Sequence, residues 1–226
     1  MSDIVSIFTY SYKNYFKRIL RLYLHCTSWY KKTNHRSIYI PPTKKIHYVT
    51  DFLWYVHDIL WVPEIYQFVT RLIKWKTRPM NEKEKNIARS FYKDSIDIDV
   101  IQIDPTAKFL KKKHVVAYVG FNTINFTTKI KDRVLIHELM HVWQFQHFGS
   151  VYISRAISAQ RSYPVYDYGG VTNLYKGMLN GKKITDFNFE QQAEIMEDYY
   201  VLLSSPQPYN GFYEMVYRYY YEQLFT

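Results

Sequence analysis

Leu135-Ile136-His137-Glu138-Leu139-Met140-His141-Val142-Trp143-Gln144 is the stretch on which the reading of this chain turns. Val134, Leu135, Leu139, Val142 and Trp143 recur at helical spacing, and neither Gly nor Pro interrupts the segment from Asp132 until Gly149, so a helix is expected there. Side chains four apart on a helix differ by roughly 40° in direction, which stacks His137 and His141 on one face. Two imidazoles so placed can share one metal ion. Glu138 stands about 100° round from His137, within reach of a water on the metal but poorly placed as a ligand beside the histidines. That position suits a general base. The surrounding apolar residues predict burial, and buried polar groups need partners, one of which a metal would supply. The bare His-Glu-x-x-His pattern also arises in helices whose histidines are simply solvated, so the search for a third ligand decides its meaning.

Three candidates compete for that place. Glu190, in Phe-Glu-Gln-Gln-Ala-Glu, lies on a second expected helix from about Phe187 to Leu203, with Glu194 one turn further along. Glu190 would bind the metal while Glu194 accepts a hydrogen bond from the far nitrogen of a ligand histidine, holding its ring and tautomer. Glu194 as the ligand itself is the second candidate and His147 the third. If the helix continues, however, His147 points roughly 240° away from His141. The competing interpretation of Glu190 and Glu194 is a solvated acidic stripe shared with Glu197 and Asp198, against which the interior Ala193 and Ile195 count. The expected set is therefore His137, His141 and Glu190 as ligands of Zn2+ with Glu138 as base. Tyr166 or Tyr168 is expected as an electrophilic helper for a carbonyl oxygen. This donor chemistry implies hydrolysis, most often of a peptide bond.

The rest of the chain sets the frame. Its 226 residues accommodate one catalytic domain plus an extension, and with 47% apolar residues and only 7 Gly and 8 Pro it reads as folded. The single cysteine, Cys26, excludes an internal disulfide framework and any Cys-based zinc cage. Of the net charge of +10, eight units sit in residues 1 to 50, where nine Lys/Arg face the lone acid Asp3. No secretory signal peptide is expected from the aromatic, Asp3-bearing start, so the protein reads as cytoplasmic in the producing cell, with any export by another route. No transmembrane helix is expected, because Asp58, Pro63, Glu64 and Arg71 break the most apolar stretch, Phe52 to Trp75.

Residues 1 to 77 read as a basic, aromatic helical extension and 78 to 226 as the main domain. Residues 6 to 24 carry Lys13, Lys17 and Arg21 opposite Phe8, Tyr12, Tyr15, Phe16, Ile19 and Tyr23. Such a helix either packs its aromatic face on the domain or contacts an anionic membrane surface peripherally; no nucleic-acid motif accompanies it. A second helical region follows from Asp51, interrupted near Pro63. Asn81 with Glu84 three residues on predicts a helix start. Ile96, Ile98 and Val100 alternate as a strand would, as do Val115, Ala117 and Val119, and Ile124 with Phe126 extends further. Tyr213 to Leu224 would form a last aromatic helix.

Arg-Pro-Met-Asn-Glu-Lys-Glu at 78 to 84, the ten residues quoted at the outset, Tyr-Asp-Tyr at 166 to 168 and Glu-Gln-Gln-Ala-Glu-Ile at 190 to 195 together resemble a group of small bacterial zincin-like proteins. That group is labelled Vgr-related or associated with Rhs and contractile-injection loci. The resemblance covers residues 78 to about 203. A ligand Glu followed four residues later by a supporting acid is the gluzincin pattern; His147 has the spacing of the metzincin third histidine, but Gln144 replaces the glycine at which that chain turns. The resemblance implies an α+β zincin-like fold, a small mixed sheet with an active-site helix and a C-terminal helical part. It implies a zinc metallopeptidase acting on a protein or peptide, with the strand Tyr118 to Phe126 as the sheet edge beside an extended substrate. Membership would also fit a secretion-system component, either an effector or a non-catalytic zinc-binding structural or adaptor protein.

Overall fold

The structure is a computed structural model that describes residues 2–30, 38–106, 117–127, 129–161, 163–205 and 211–225, with side chains from residue 5 onwards. The fold is α+β. Three helices open the chain: α1 (Ser2–Thr27), α2 (Lys45–Ile59) and α3 (Val62–Ile73), the last carrying Pro63 in its first turn, close to the break that the sequence predicts. A two-residue strand β1 (Arg78–Pro79) leads into α4 (Glu82–Tyr92), whose Asn81 Oδ1 accepts from Glu84 N at 2.9 Å while Glu84 Oε2 accepts from Asn81 N at 2.7 Å. The predicted capping box is thus formed. Then come β2 (Gln102–Asp104), β3 (Ala117–Gly120), β4 (Thr123–Phe126), α5 (Asp132–Phe148), α6 (Val151–Gln160), α7 (Gly170–Leu179), α8 (Phe189–Ser204) and α9 (Gly211–Tyr221). The sheet order is β1-β2-β4-β3, with β2 and β4 parallel and the outer pairs antiparallel.

Two expected strands change character. Ile96, Ile98 and Val100 flank and form a pair of 3-10 turns, Lys93–Ser95 and Ile98–Val100, and extended pairing starts only at Gln102. The Asp97 side chain accepts from Asp99 N, a local bond that competes with ladder formation. All three apolar residues are buried, so their alternation marks core anchoring rather than strand pairing. Tyr118 to Phe126 is likewise not one strand but the hairpin β3–β4, turned at Phe121 with φ of 60°. Its edge member is β3, not the whole segment. Val115 lies outside the described residues.

The helix α5 is buried on nearly every side, from Leu135 and Ile136 through Leu139, Met140, Val142 and Phe145 to Phe148. Helix α8 lies along it, and α4, α6 and the β3–β4 hairpin close the remaining faces. Tyr152 on α6 ties the hairpin in, donating to Val119 O at 2.9 Å. The C-terminus of α5 needs Gly149: with φ of 77°, a Cβ there would fall 2.2 Å from Asp58 Oδ2. Asp58 accepts instead from Ser150 N at 3.0 Å. Arg21 of α1 donates to Gln146 O and His147 O at 3.0 and 2.6 Å, capping carbonyls that the helix end leaves unpaired.

This pinning corrects the expectation for α1. Arg21 is buried instead of lining an outward basic stripe, and Arg18 is buried beside it; of the expected apolar face, Phe8 and Tyr15 do pack inward, on Trp61, whereas Tyr12, Phe16, Ile19 and Tyr23 face outward. Backbone carbonyls and carboxylates waiting beneath α1 outweigh the apolar face in deciding how it lies. Among the described residues, no helix is long and apolar enough to cross a membrane.

Candidate metal centre

The helical spacing that places His137 and His141 together on α5 is realised, with ring centroids 5.2 Å apart. Opposite them, Asn188 caps α8 by accepting from Gln191 N at 2.8 Å, which sets Glu190 in the first turn. Glu190 Oε2 lies 3.7 Å from His137 Nε2 and 3.6 Å from His141 Nε2, and the three donor atoms all fall within 4.8 Å of one another. With Zn–N distances of about 2.0–2.1 Å, tetrahedral ligands sit roughly 3.4 Å apart, so the group is close to the spacing one ion requires. These three residues could hold a metal ion.

Glu138 lies against this group, buried, with its Oε2 lacking any hydrogen-bond partner. An orphaned carboxylate oxygen in a protein interior signals a missing partner. Burial pushes the Glu138 carboxyl up, ahead of the opposing pull of His137 and His141. For His137, burial works against the imidazolium, but the carboxylates of Glu190, Glu197 and Glu138 outweigh it and push the group up to about 10. His141 is raised for the same reason, burial being overcome chiefly by Glu190. Burial would raise Glu190 as well, yet the two imidazoles draw it well below the usual carboxylate range. The carboxylates thus favour positive charge at this point.

Side chains behind the donors fix their orientation. Gln192 Nε2 donates to Phe187 O at 2.9 Å, which turns Gln192 Oε1 toward Gln144 Nε2 at 3.0 Å. Gln144 Nε2 also donates to Phe189 O, so its Oε1 is left to accept from His141 Nδ1 at 2.8 Å. The chain of amides begins at a backbone carbonyl and so admits one polarity, putting the proton of neutral His141 on Nδ1 and the lone pair of Nε2 toward Glu190. Gln160, at the end of α6, donates to Glu190 Oε1 at 2.9 Å and leaves Oε2 to the histidines. The reading of the sequence missed all three glutamines in this role. Gln144, one turn after His141, was the legible one; nothing local points to Gln160.

The remaining expected residues divide. Glu194 Oε2 stands 3.8 Å from His137 Nδ1, but Glu197 Oε2 is nearer at 3.2 Å, although too oblique for a hydrogen bond. Glu197, to which the sequence offers no role at the site, is mostly buried here; seven residues bring a helix back to within roughly 20° of its starting direction, so Glu197 follows Glu190 more closely than Glu194 does. His137, Glu194 and Glu197 form a second cluster of donors adjoining the first. His147 is no part of either: its Nδ1 donates to Trp143 O at 2.9 Å and its ring stacks on Trp143 at 4.1 Å. Of the two tyrosines, the Tyr166 ring lies 6.3 Å from that of His137 and is half exposed. Tyr168 turns away, donating to Asp198 and meeting the Tyr217 hydroxyl.

No protein-family model matches the chain, and no solved structure does. Among curated proteins the chain is similar to the type VI secretion system spike protein VgrG2b of Pseudomonas aeruginosa, 28% identical over 139 residues. The match takes in 55% of this chain and 13% of that protein's length. The likeness is thus to a Vgr-type protein over part of the chain, and it carries no family assignment.

Proposed function

We propose that this protein is a zinc-dependent metallopeptidase of zincin type, with His137, His141 and Glu190 holding the metal and Glu138 as general base. The observation that carries the reading is the convergence of two imidazole nitrogens and one carboxylate oxygen beside a buried carboxylate with an unpartnered oxygen. Two His and one Glu are a donor set suited to catalytic zinc, which keeps a position open. A bound zinc ion supplies Lewis acidity, lowering the pKa of a water and polarising a carbonyl. Glu138 accepts the proton as the water attacks and later delivers it to the leaving amine nitrogen; burial raises its proton affinity toward that task. Gln144 and Gln160 hold His141 and Glu190 in their working orientation. Tyr166, beside His137 and open to solvent, donates to the carbonyl oxygen as it gains charge. The edge strand β3 offers backbone pairing to an extended protein or peptide substrate.

The test is hydrolysis of an unfolded protein by the zinc-loaded chain and by Glu138→Gln. We expect activity to fall roughly 10²–10⁴-fold with metal content unchanged; equal activity in the two would overturn the mechanism. The likeness to a spike protein favours a second reading, a zinc-binding structural or adaptor component of a secretion assembly. In that case the purified chain binds one metal ion, cleaves none of a panel of unfolded proteins, and coordinates the ion with four protein ligands.

A further inference from the structure

The three opening helices are built the wrong way round for a surface that faces water. Beside the apolar Ile7, Leu24, Tyr55 and Pro63, their buried positions hold Ser11, Arg18, Arg21 and His25 in α1, His47, Asp51 and Asp58 in α2, and Glu64 and Gln67 in α3. Most are satisfied internally. Arg18 pairs with Glu64 and donates to Asp58 O at 2.6 Å; Asp51 is held by Arg155 of α6; His25 Nε2 donates to Tyr48 O at 2.8 Å. Their exposed positions are apolar: Tyr12, Phe16, Ile19 and Tyr23 in α1, Ile46, Val49 and Leu53 in α2, and Ile65, Val69 and Leu72 in α3. Spacings of three and four along each helix make each set one stripe. Phe16 is 74% exposed and Trp75, just after α3, 82%. Among the described residues, 17 of the 27 large apolar side chains that stay exposed come from residues 5 to 75. The bias is therefore regional and not the ordinary scatter of surface apolar residues.

Charge narrows the occupant. From residue 5 to residue 77 the acids are Asp51, Asp58 and Glu64, and all three are buried. Among the described residues, the charges this region turns outward are Lys13, Lys17, Lys44, Lys45 and Lys76. A surface that is apolar, rich in Tyr and Trp, and cationic in all the exposed charges of its described side chains matches the interface of an anionic bilayer, where rings sit at headgroup depth and lysines meet lipid phosphates and carboxylates. A second copy of this chain fits less well, since a two-fold contact would set one cationic face against another with no exposed acid among its described side chains to answer it. We infer that α1, α2 and α3 form a docking face for an anionic lipid surface, lying on the membrane without crossing it. Docking would carry the metal centre to the membrane, because Arg21 and Asp58 tie these helices to the end of α5.

The test is co-sedimentation of the full chain with vesicles of phosphatidylcholine alone or with 30% phosphatidylserine. We expect at least tenfold stronger partitioning onto the anionic vesicles. Phe16→Ser/Ile19→Ser/Leu53→Ser/Leu72→Ser should lower it at least tenfold, and Lys13→Gln/Lys44→Gln/Lys45→Gln by roughly fivefold per charge, both with unchanged circular dichroism. A measurement that needs no surface-stripped variant is quenching of tryptophan emission by brominated lipid, expected for the native chain and reduced in Trp75→Phe. Partitioning unaffected by both sets of substitutions, or no binding to anionic vesicles at all, would overturn the proposal. So would a stable dimer of the native chain that the apolar substitutions convert to monomer while neither form binds vesicles.

Discussion

Beneath α1, Arg18, Arg21, Asp58 and Glu64 form one buried group of ionisable side chains; between α5 and α8, His137, Glu138, His141 and Glu190 form another. Both draw their members from segments distant in sequence, and both lie where unpaired charge is costly. They differ in closure. In the first, Arg18 is bound by Glu64 and Asp58 O, Arg21 by the carbonyls of Ile38, Gln146 and His147, and Asp58 by Ser150. In the second, Glu138 Oε2 and His137 Nδ1 find no hydrogen-bond partner, and the protein stands ready to supply donors to something else. A buried cluster that satisfies itself is a joint; one that is oriented from behind and left open in front is a site.

The contrast can be broken most severely at the joint. Arg21→Met removes the carbonyl caps of α5 and the cation facing Asp58, and it should cost about 3–5 kcal/mol of stability in urea unfolding. A loss below about 1 kcal/mol would show that the joint is not what holds α1. At the site, Gln144→Leu strands Gln192 Oε1 and His141 Nδ1 in the interior, so it should cost about 1–3 kcal/mol of stability. It should also weaken metal binding roughly 10–100-fold in a competition against a chelator, since His141 loses the acceptor that fixes its tautomer.

Acid should separate the regions further. His147, beside the joint, is held at about 4 by burial, with Arg21 and Lys17 adding to the depression. A histidine depressed in the folded state contributes stability above its unfolded value near 6.5 that is lost as pH falls from there toward about 4. Thermal melts of His147→Gln should therefore be flatter than those of the native chain across this window, and identical slopes would remove His147 from the acid limb. The smallest effect is expected far from both clusters: Asn81→Ala should cost about 1 kcal/mol through the lost cap of α4, with metal affinity unchanged.

Much of the site was legible because it is local. His137, Glu138 and His141 belong to one uninterrupted apolar helix whose geometry follows from 3.6 residues per turn, and the direction of His147 followed from the same arithmetic. The cap at Asn81 needed only four residues of context. Where the reading went astray, a longer-range or competing interaction decided. Asp97 diverted a strand-like alternation into turns, and Glu197 came closer to His137 than Glu194 because two turns of α8 realign better than one. For α1, the amphipathic pattern was real but its orientation was not contained in it.

From the sequence alone came the helix carrying the histidine pair, the place of Glu138 beside them and the candidacy of Glu190. Tertiary structure alone brought Glu190 within 3.6 Å of His141 Nε2, set Gln144, Gln192 and Gln160 behind the donors, and turned Arg18 and Arg21 inward with the aromatic stripe outward. The physical reason is the range of the interactions. Backbone geometry relates residues a few positions apart, whereas the burial of a charge depends on which carbonyl or carboxylate the rest of the fold brings to meet it.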